Sequence, residues 1–136
     1  MRVCPCDSLL PYVDCCGPCH RGTREAPDAR ALMRSRYAAF ALKEVDYLWR
    51  TLHADHPDRA RPAEDVLREL RDACSANRYL GLRILETEEP DANGVAHVMF
   101  AARVFRKGRD LSFIERSEFL RDGEGWRYLR GDAVRE

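Results

Sequence analysis

Five of the six cysteines crowd into 16 positions near the amino end: Cys4, Cys6, Cys15, Cys16 and Cys19, with His20 beside the last. Thiolate sulfur and imidazole nitrogen are the donors that borderline divalent metals prefer, and zinc gathers four of them into a tetrahedral cage. Cys4-x-Cys6 and Cys15-Cys16 form two pairs separated by eight residues, and Cys16-x-x-Cys19 is itself spaced to chelate. Crowded thiols have two other uses, a disulfide framework in small secreted chains and an unligated reactive cluster. The start, Met-Arg-Val-Cys-Pro-Cys-Asp, has no apolar leader. The expectation is therefore a cytoplasmic protein with reduced thiols, and zinc accounts best for the crowding. Cys74 stands apart and reads as a small buried apolar side chain.

The segment also needs an organising force from outside its own composition. Before Pro27 its larger apolar residues are Val3, Leu9, Leu10, Tyr12 and Val13. So few side chains cannot offset about 1–2 kcal/mol of backbone entropy per ordered residue. A structural zinc contributes about 10–16 kcal/mol of apparent binding energy in small peptides, enough to order a stretch of this length. Arg2, Arg21 and Arg24 are expected to offset the negative charge of a thiolate cage.

The rest of the chain must supply a platform. Lysine plus arginine and aspartate plus glutamate each total 23, a balance that disfavours a nucleic-acid binder, which needs a basic surplus. No apolar run approaches the roughly 20 residues of a membrane span. Gly22, Thr23 and Pro27 mark a linker, and Asp28 is the expected N-cap of a helix. Ala29, Leu32, Met33, Tyr37, Phe40 and Ala41 recur at helical spacing, continuing through Val45, Leu48 and Leu52 with a bend near Lys43-Glu44. His53 to Pro62 reads as a loop, followed by a second amphipathic helix with Val66, Leu67, Leu70, Ala73 and Cys74 on one side. After Asn77 the period becomes two: Leu80, Leu82 and Ile84, then Ala96, Val98, Phe100, Ala102 and Val104 on one face of a long strand. Lys107-Gly108 predicts a hairpin, Leu111 to Leu120 a third strand, and Asp122-Gly123-Glu124-Gly125 a turn into Trp126 to Leu129. Helices first and a meander afterwards give an α+β domain with helices on one face of an antiparallel sheet.

The cysteine pattern resembles the SEC-C motif, Cys-x-Cys, eight residues, then Cys-Cys or Cys-His, a short zinc-binding motif also found at the C-terminus of the SecA translocation ATPase. The resemblance implies Cys4, Cys6, Cys15 and Cys16 as zinc ligands, with Cys19 and His20 in reserve. It also implies contacts with a protein partner. Where the motif has Gly-Ser-Gly this chain has Asp7-Ser8-Leu9, which suggests a reshaped loop, because glycine takes positive φ at the least cost. Leu32-Met33-Arg34-Ser35-Arg36-Tyr37, Val45-Asp46-Tyr47-Leu48, Leu80-Gly81-Leu82 and Ile114-Glu115-Arg116-Ser117 resemble the YchJ-like family of small bacterial proteins. That resemblance implies a nuclear-transport-factor-two-like cone, a curved antiparallel sheet around helices. The expected division is a zinc knuckle over 1–24 and a cone-shaped α+β domain over 25–136. A tryptophan-histidine-proline usual in the family is Leu52-His53-Ala54 here, and the C-terminal cysteine motif of some members has no counterpart.

Inside the cone, helical geometry sets Arg36 within the apolar stripe between Leu32 and Phe40, and strand parity sets Glu115 with Phe113 and Phe119. A lone buried charge is costly, so the two are expected to form an ion pair joining helix to sheet. Tyr37, Trp49, His53, His97, Arg103 and Trp126 are the further residues expected around a pocket. The functional expectation is a non-enzymatic, zinc-stabilised module that binds a protein partner or a small molecule. The alternative is a small-molecule enzyme with His53 or Glu115 as base, Arg36 lying in the same pocket. Binding to single-stranded RNA is disfavoured by the charge balance, and homodimerisation through the sheet is left open.

Overall fold

The computed structural model describes residues 2–123 and 125–134. Asp28 caps α2 (Ala29–Leu42) as its composition predicts, its carboxylate accepting the Ala31 amide at 2.8 Å. The helix ends because Lys43 turns left-handed (φ 63°) and returns its amide to the Ala39 carbonyl. The chain then starts afresh as α3 (Val45–Arg50), so the single bent helix predicted here is two helices. A 3-10 turn, Pro57–Ala60, precedes α4 (Ala63–Ala76), whose buried contacts come from Val66 and Cys74.

The remaining elements are β1 (Arg78–Glu88), β2 (Ala96–Arg106), β3 (Arg109–Asp110), β4 (Phe113–Asp122) and β5 (Gly125–Ala133). They pair antiparallel in the order β1-β2-β4-β5, with the two-residue β3 on β2, and among the described residues the sheet does not close. Lys107 and Gly108 both take positive φ (49° and 77°), as a tight two-residue hairpin requires. Glu124, in the last predicted turn, lies outside the described residues.

Register shifts after Tyr79 and Ile84 in β1, and at Leu129 of β5 opposite Glu118 and Phe119, bend the strands around the helices. They also correct one expectation. Leu80 falls at the first bulge and is 50% exposed, while Tyr79, paired with Val104, takes its place on the inner face. The inner face runs on through Leu82, Phe100, Val98, Ala102 and Phe119 against Leu32, Leu48 and Tyr37. Phe119, Leu32, Leu48, Val66 and Val98 are fully buried, and the five buried cysteines Cys4, Cys6, Cys16, Cys19 and Cys74 belong to the same continuous core. Thr51–His53 lies beside β5, with Tyr128 exchanging backbone bonds with Thr51 and His53 at 2.8 Å each.

Candidate metal centre and the cavity beside it

The amino-terminal segment folds back on itself through short-range backbone bonds. Val3 bridges Pro11, the Cys4 amide reaches the Leu10 carbonyl at 2.8 Å, and a 3-10 turn, Tyr12–Asp14, leads to α1 (Gly17–Arg21). The return requires left-handed backbone at Asp7 (φ 63°) and Leu9 (φ 70°), the two places where the SEC-C pattern has glycine. Asp7 is also tied down: its Oδ2 accepts the Leu82 amide of β1 at 2.9 Å. Gly17 permits the turn after the cysteine pair, since a Cβ there would lie 2.8 Å from the Tyr12 carbonyl oxygen.

This path brings the sulfur atoms of Cys4, Cys6, Cys15 and Cys16 within 4.8 Å of one another, and the group could hold a metal ion. Cys6 and Cys15 sulfurs are 3.6 Å apart, Cys15 and Cys16 sulfurs 3.9 Å. A tetrahedron with metal–sulfur bonds of about 2.3 Å has edges of about 3.8 Å, so these spacings suit a tetrahedral ion. All six cysteines are free thiols, so no disulfide accounts for the crowding. Hydrogen bonds from Cys16 and Cys4 hold the Cys6 thiol far below its ordinary range, while the same shared contacts and burial push Cys16 far above it. Cys4, drawn down by Cys16 but raised by Cys6 and by burial, is pushed up to about 11. Thiols this close compete for their protons, and a divalent cation relieves the competition by replacing them.

The residues held in reserve serve elsewhere. Both ring nitrogens of His20 are engaged: Nε2 donates to the Ser35 carbonyl at 2.8 Å, so Nδ1 accepts the Tyr12 hydroxyl at 2.6 Å. Burial lowers its pKa. Cys19 is buried outside the four-sulfur group, and its carbonyl accepts from Arg50 at 2.8 Å. Among the arginines expected to offset the thiolates, Arg24 donates to the Cys15 carbonyl at 2.8 Å and Arg2 lies over the Tyr12 ring. The arginine in contact with a cluster sulfur is Arg34 of α2, which sequence reasoning missed. Its Nη1 donates to the Cys6 carbonyl at 2.7 Å and stands 3.9 Å from the Cys6 sulfur.

Leu32-Met33-Arg34-Ser35-Arg36-Tyr37 is thus the seam between segment and domain. Ser35 accepts His20 on its carbonyl and shares a 2.6 Å hydrogen bond with the Tyr47 hydroxyl. The Tyr37 hydroxyl accepts the Gly81 amide at 2.8 Å. Arg36 is buried, with Nη1 donating to the Leu48 carbonyl (2.9 Å) and the Thr51 hydroxyl (2.6 Å). Burial pushes its pKa down to about 10 against the favourable influence of Tyr128, Tyr47 and Glu115.

The expected Arg36–Glu115 ion pair does not form among the described residues. Tyr128 stands between the two: its ring lies 4.7 Å from the guanidinium, and its hydroxyl donates to Glu115 Oε2 at 3.3 Å. Ser117 donates to the same oxygen at 2.5 Å. The Glu115 side chain lies over Gly131 of β5, where a Cβ would collide with its carboxyl group. Arg36 and Glu115 instead share a cavity of about 300 Å³, walled by Tyr37, Phe40, Tyr79, Phe100, Phe113 and Tyr128. Tyr37 is there as expected; Trp49, His53, His97, Arg103 and Trp126 are not among its walls. His53 is buried beside β5, its Nδ1 accepting the Asp55 amide at 3.0 Å. Trp49 is covered by Arg59, and Trp126 is buried at the start of β5.

No described helix is long and apolar enough to cross a membrane. The family described as YchJ, middle NTF2-like domain, matches residues 28–131, which accounts for the helices on an antiparallel sheet. The UPF0225 protein YchJ of Shigella dysenteriae serotype 1 (strain Sd197) is 38% identical over 130 residues, 96% of this chain and 82% of that protein. The solution structure of a SEC-C motif containing protein from Rhodopseudomonas palustris superposes with a TM-score of 0.80 at 36% identity, covering 98% of this chain and all of that one. A SEC-C motif containing protein from Psychrobacter arcticus, 22% identical, shares the fold with a TM-score of 0.81 over all of this chain and 85% of its own. The chain therefore belongs to the YchJ family.

Proposed function

We propose that Cys4, Cys6, Cys15 and Cys16 hold one zinc ion in a closed four-thiolate site, and that the ion is structural. The observation that carries this reading is the sulfur geometry, with spacings of 3.6 and 3.9 Å in a group otherwise buried except at Cys15. Four sulfur ligands leave no position for water or substrate, so the centre would hold the segment on the domain and take no part in a reaction. The wider assignment is a non-enzymatic, cytoplasmic binding module whose knuckle meets a protein partner. Val3, Leu9, Leu10 and Val13 favour it, because all four are more than half exposed on the knuckle.

Metal analysis of protein purified without chelator tests the first claim, with one zinc per chain expected and less than half an equivalent counting against it. A chain carrying Leu9→Ser, Leu10→Ser and Val13→Ser tests the second. It should keep its zinc and its melting temperature yet lose a partner captured by cross-linking to the intact protein. Retention of the same partner would remove the knuckle from recognition.

A further inference from the structure

The cavity between α2, α4 and the sheet holds an opposed pair of charges that the metal centre does not use. Arg36 is only 6% exposed and engages Nη1 alone; its Nε and Nη2 donate to no acceptor among the described residues. Every described side-chain nitrogen or oxygen sealed from solvent has a partner, so those two nitrogens keep access, and Arg36 lines the cavity. In the same cavity, Glu115 Oε2 accepts from the Ser117 and Tyr128 hydroxyls, while Oε1 has no donor among the described residues. Phe113, one wall of the cavity, is 42% exposed.

We propose that this cavity binds a small zwitterion with a flat apolar body, chemically an aromatic amino acid. The ligand carboxylate accepts from Arg36 Nε and Nη2, its ammonium donates to Glu115 Oε1, and its ring lies among Phe40, Tyr79, Phe100 and Phe113. Charge selects the class. A charged group in an apolar cavity is costly without a partner, so a ligand with one charge satisfies one wall and leaves the other unopposed. A dianion such as a phosphate would face Glu115 directly. Size agrees, since ≈300 Å³ lies at the lower end of the roughly 300–1,000 Å³ that ligand pockets span. The aromatic walls offer edge and face contacts to a ring. The proposal does not rest on the metal reading.

The test uses the full chain as purified and three probes related by single groups: L-phenylalanine, 3-phenylpropionate, which lacks the ammonium, and 2-phenylethylamine, which lacks the carboxylate. Calorimetry or ligand-detected NMR should show L-phenylalanine binding at least about tenfold tighter than either partial probe, a difference equivalent to about 1.4 kcal/mol. Glu115→Gln should weaken L-phenylalanine at least about tenfold while leaving 3-phenylpropionate equal or tighter. Ala102 also lines the cavity, so Ala102→Leu should fill it and abolish binding of all three, with the melting temperature checking that the variant folds. If Ala102→Leu does not fold, the Glu115→Gln comparison decides alone. Equal binding of the three probes, no binding at millimolar concentration, or L-phenylalanine binding indifferent to Glu115→Gln would each overturn the proposal.

Discussion

Arg34→Ala should weaken zinc binding although Arg34 is no ligand. Its Nη1 donates to the Cys6 carbonyl at 2.7 Å and places a positive charge 3.9 Å from the Cys6 sulfur. A hydrogen bond from a charged group contributes about 1.5–3 kcal/mol when buried, and half-buried Arg34 belongs near the lower end. Attraction to a thiolate cage of net charge −2 adds to this, reduced by solvent and salt. The contact exists only while the knuckle is formed, so its loss is read out as metal affinity. About 1.5–2 kcal/mol corresponds to roughly 10–30-fold weaker zinc binding. Competition with a chromophoric chelator at low ionic strength measures it, and the gap from wild type should narrow in high salt. Arg24→Ala, which removes an exposed bond to the Cys15 carbonyl, should cost less. Zinc affinity within twofold of wild type for Arg34→Ala, or a larger loss for Arg24→Ala, would refute the reasoning.

Other consequences follow from the packing. Burial lowers the His20 pKa below its ordinary value of 6.5, so the unfolded chain binds that proton more readily than the folded one. The stability His20 contributes is therefore complete above pH 6.5 and falls as pH drops from there toward the folded-state pKa. His20→Gln should flatten this part of the slope in urea midpoints measured across that range; an unchanged slope would contradict the assignment of a neutral His20 between Tyr12 and Ser35. Phe119→Ala, at a fully buried site on the inner face, should cost about 3–5 kcal/mol by denaturant titration, and a loss below about 1 kcal/mol would mean the core is not where it is placed. Leu9→Ser alone, at a side chain 83% exposed, should change stability by less than about 0.5 kcal/mol.

Much of the architecture is written in local signals. Asp28 caps its helix, the alternation of Ala96, Val98, Phe100, Ala102 and Val104 gives the inner face of β2, and Lys107-Gly108 turns the hairpin. The four sulfurs that come together are a contiguous pattern, so spacing and a family resemblance were enough to single them out. What escaped depends on contacts distant in sequence or on backbone choices the residue type does not announce. Lys43 breaks the helix in a left-handed conformation more typical of glycine, and the bulge at Leu80 exchanges the inward places of Leu80 and Tyr79. Arg34 carries no signal of its own in the spacing of the sequence; only the folding of the amino end against α2 gives it the Cys6 carbonyl. Arg36 and Glu115 line one cavity, but the ion pair expected between them does not form, because periodicity could not foresee Tyr128 standing between them.

The central claim is that a metal ion holds the amino-terminal segment on the cone. Hydrogen exchange of the zinc-loaded chain before and after chelator treatment tests it most directly. The amides of Cys4, Tyr12, Cys15 and His20, bonded within the segment, should lose protection when the ion leaves, while Val98 and Phe100 in β2 stay protected. Equal protection of the segment with and without the ion would contradict the account, because the seam through Arg34, Ser35 and Arg50 would then suffice by itself.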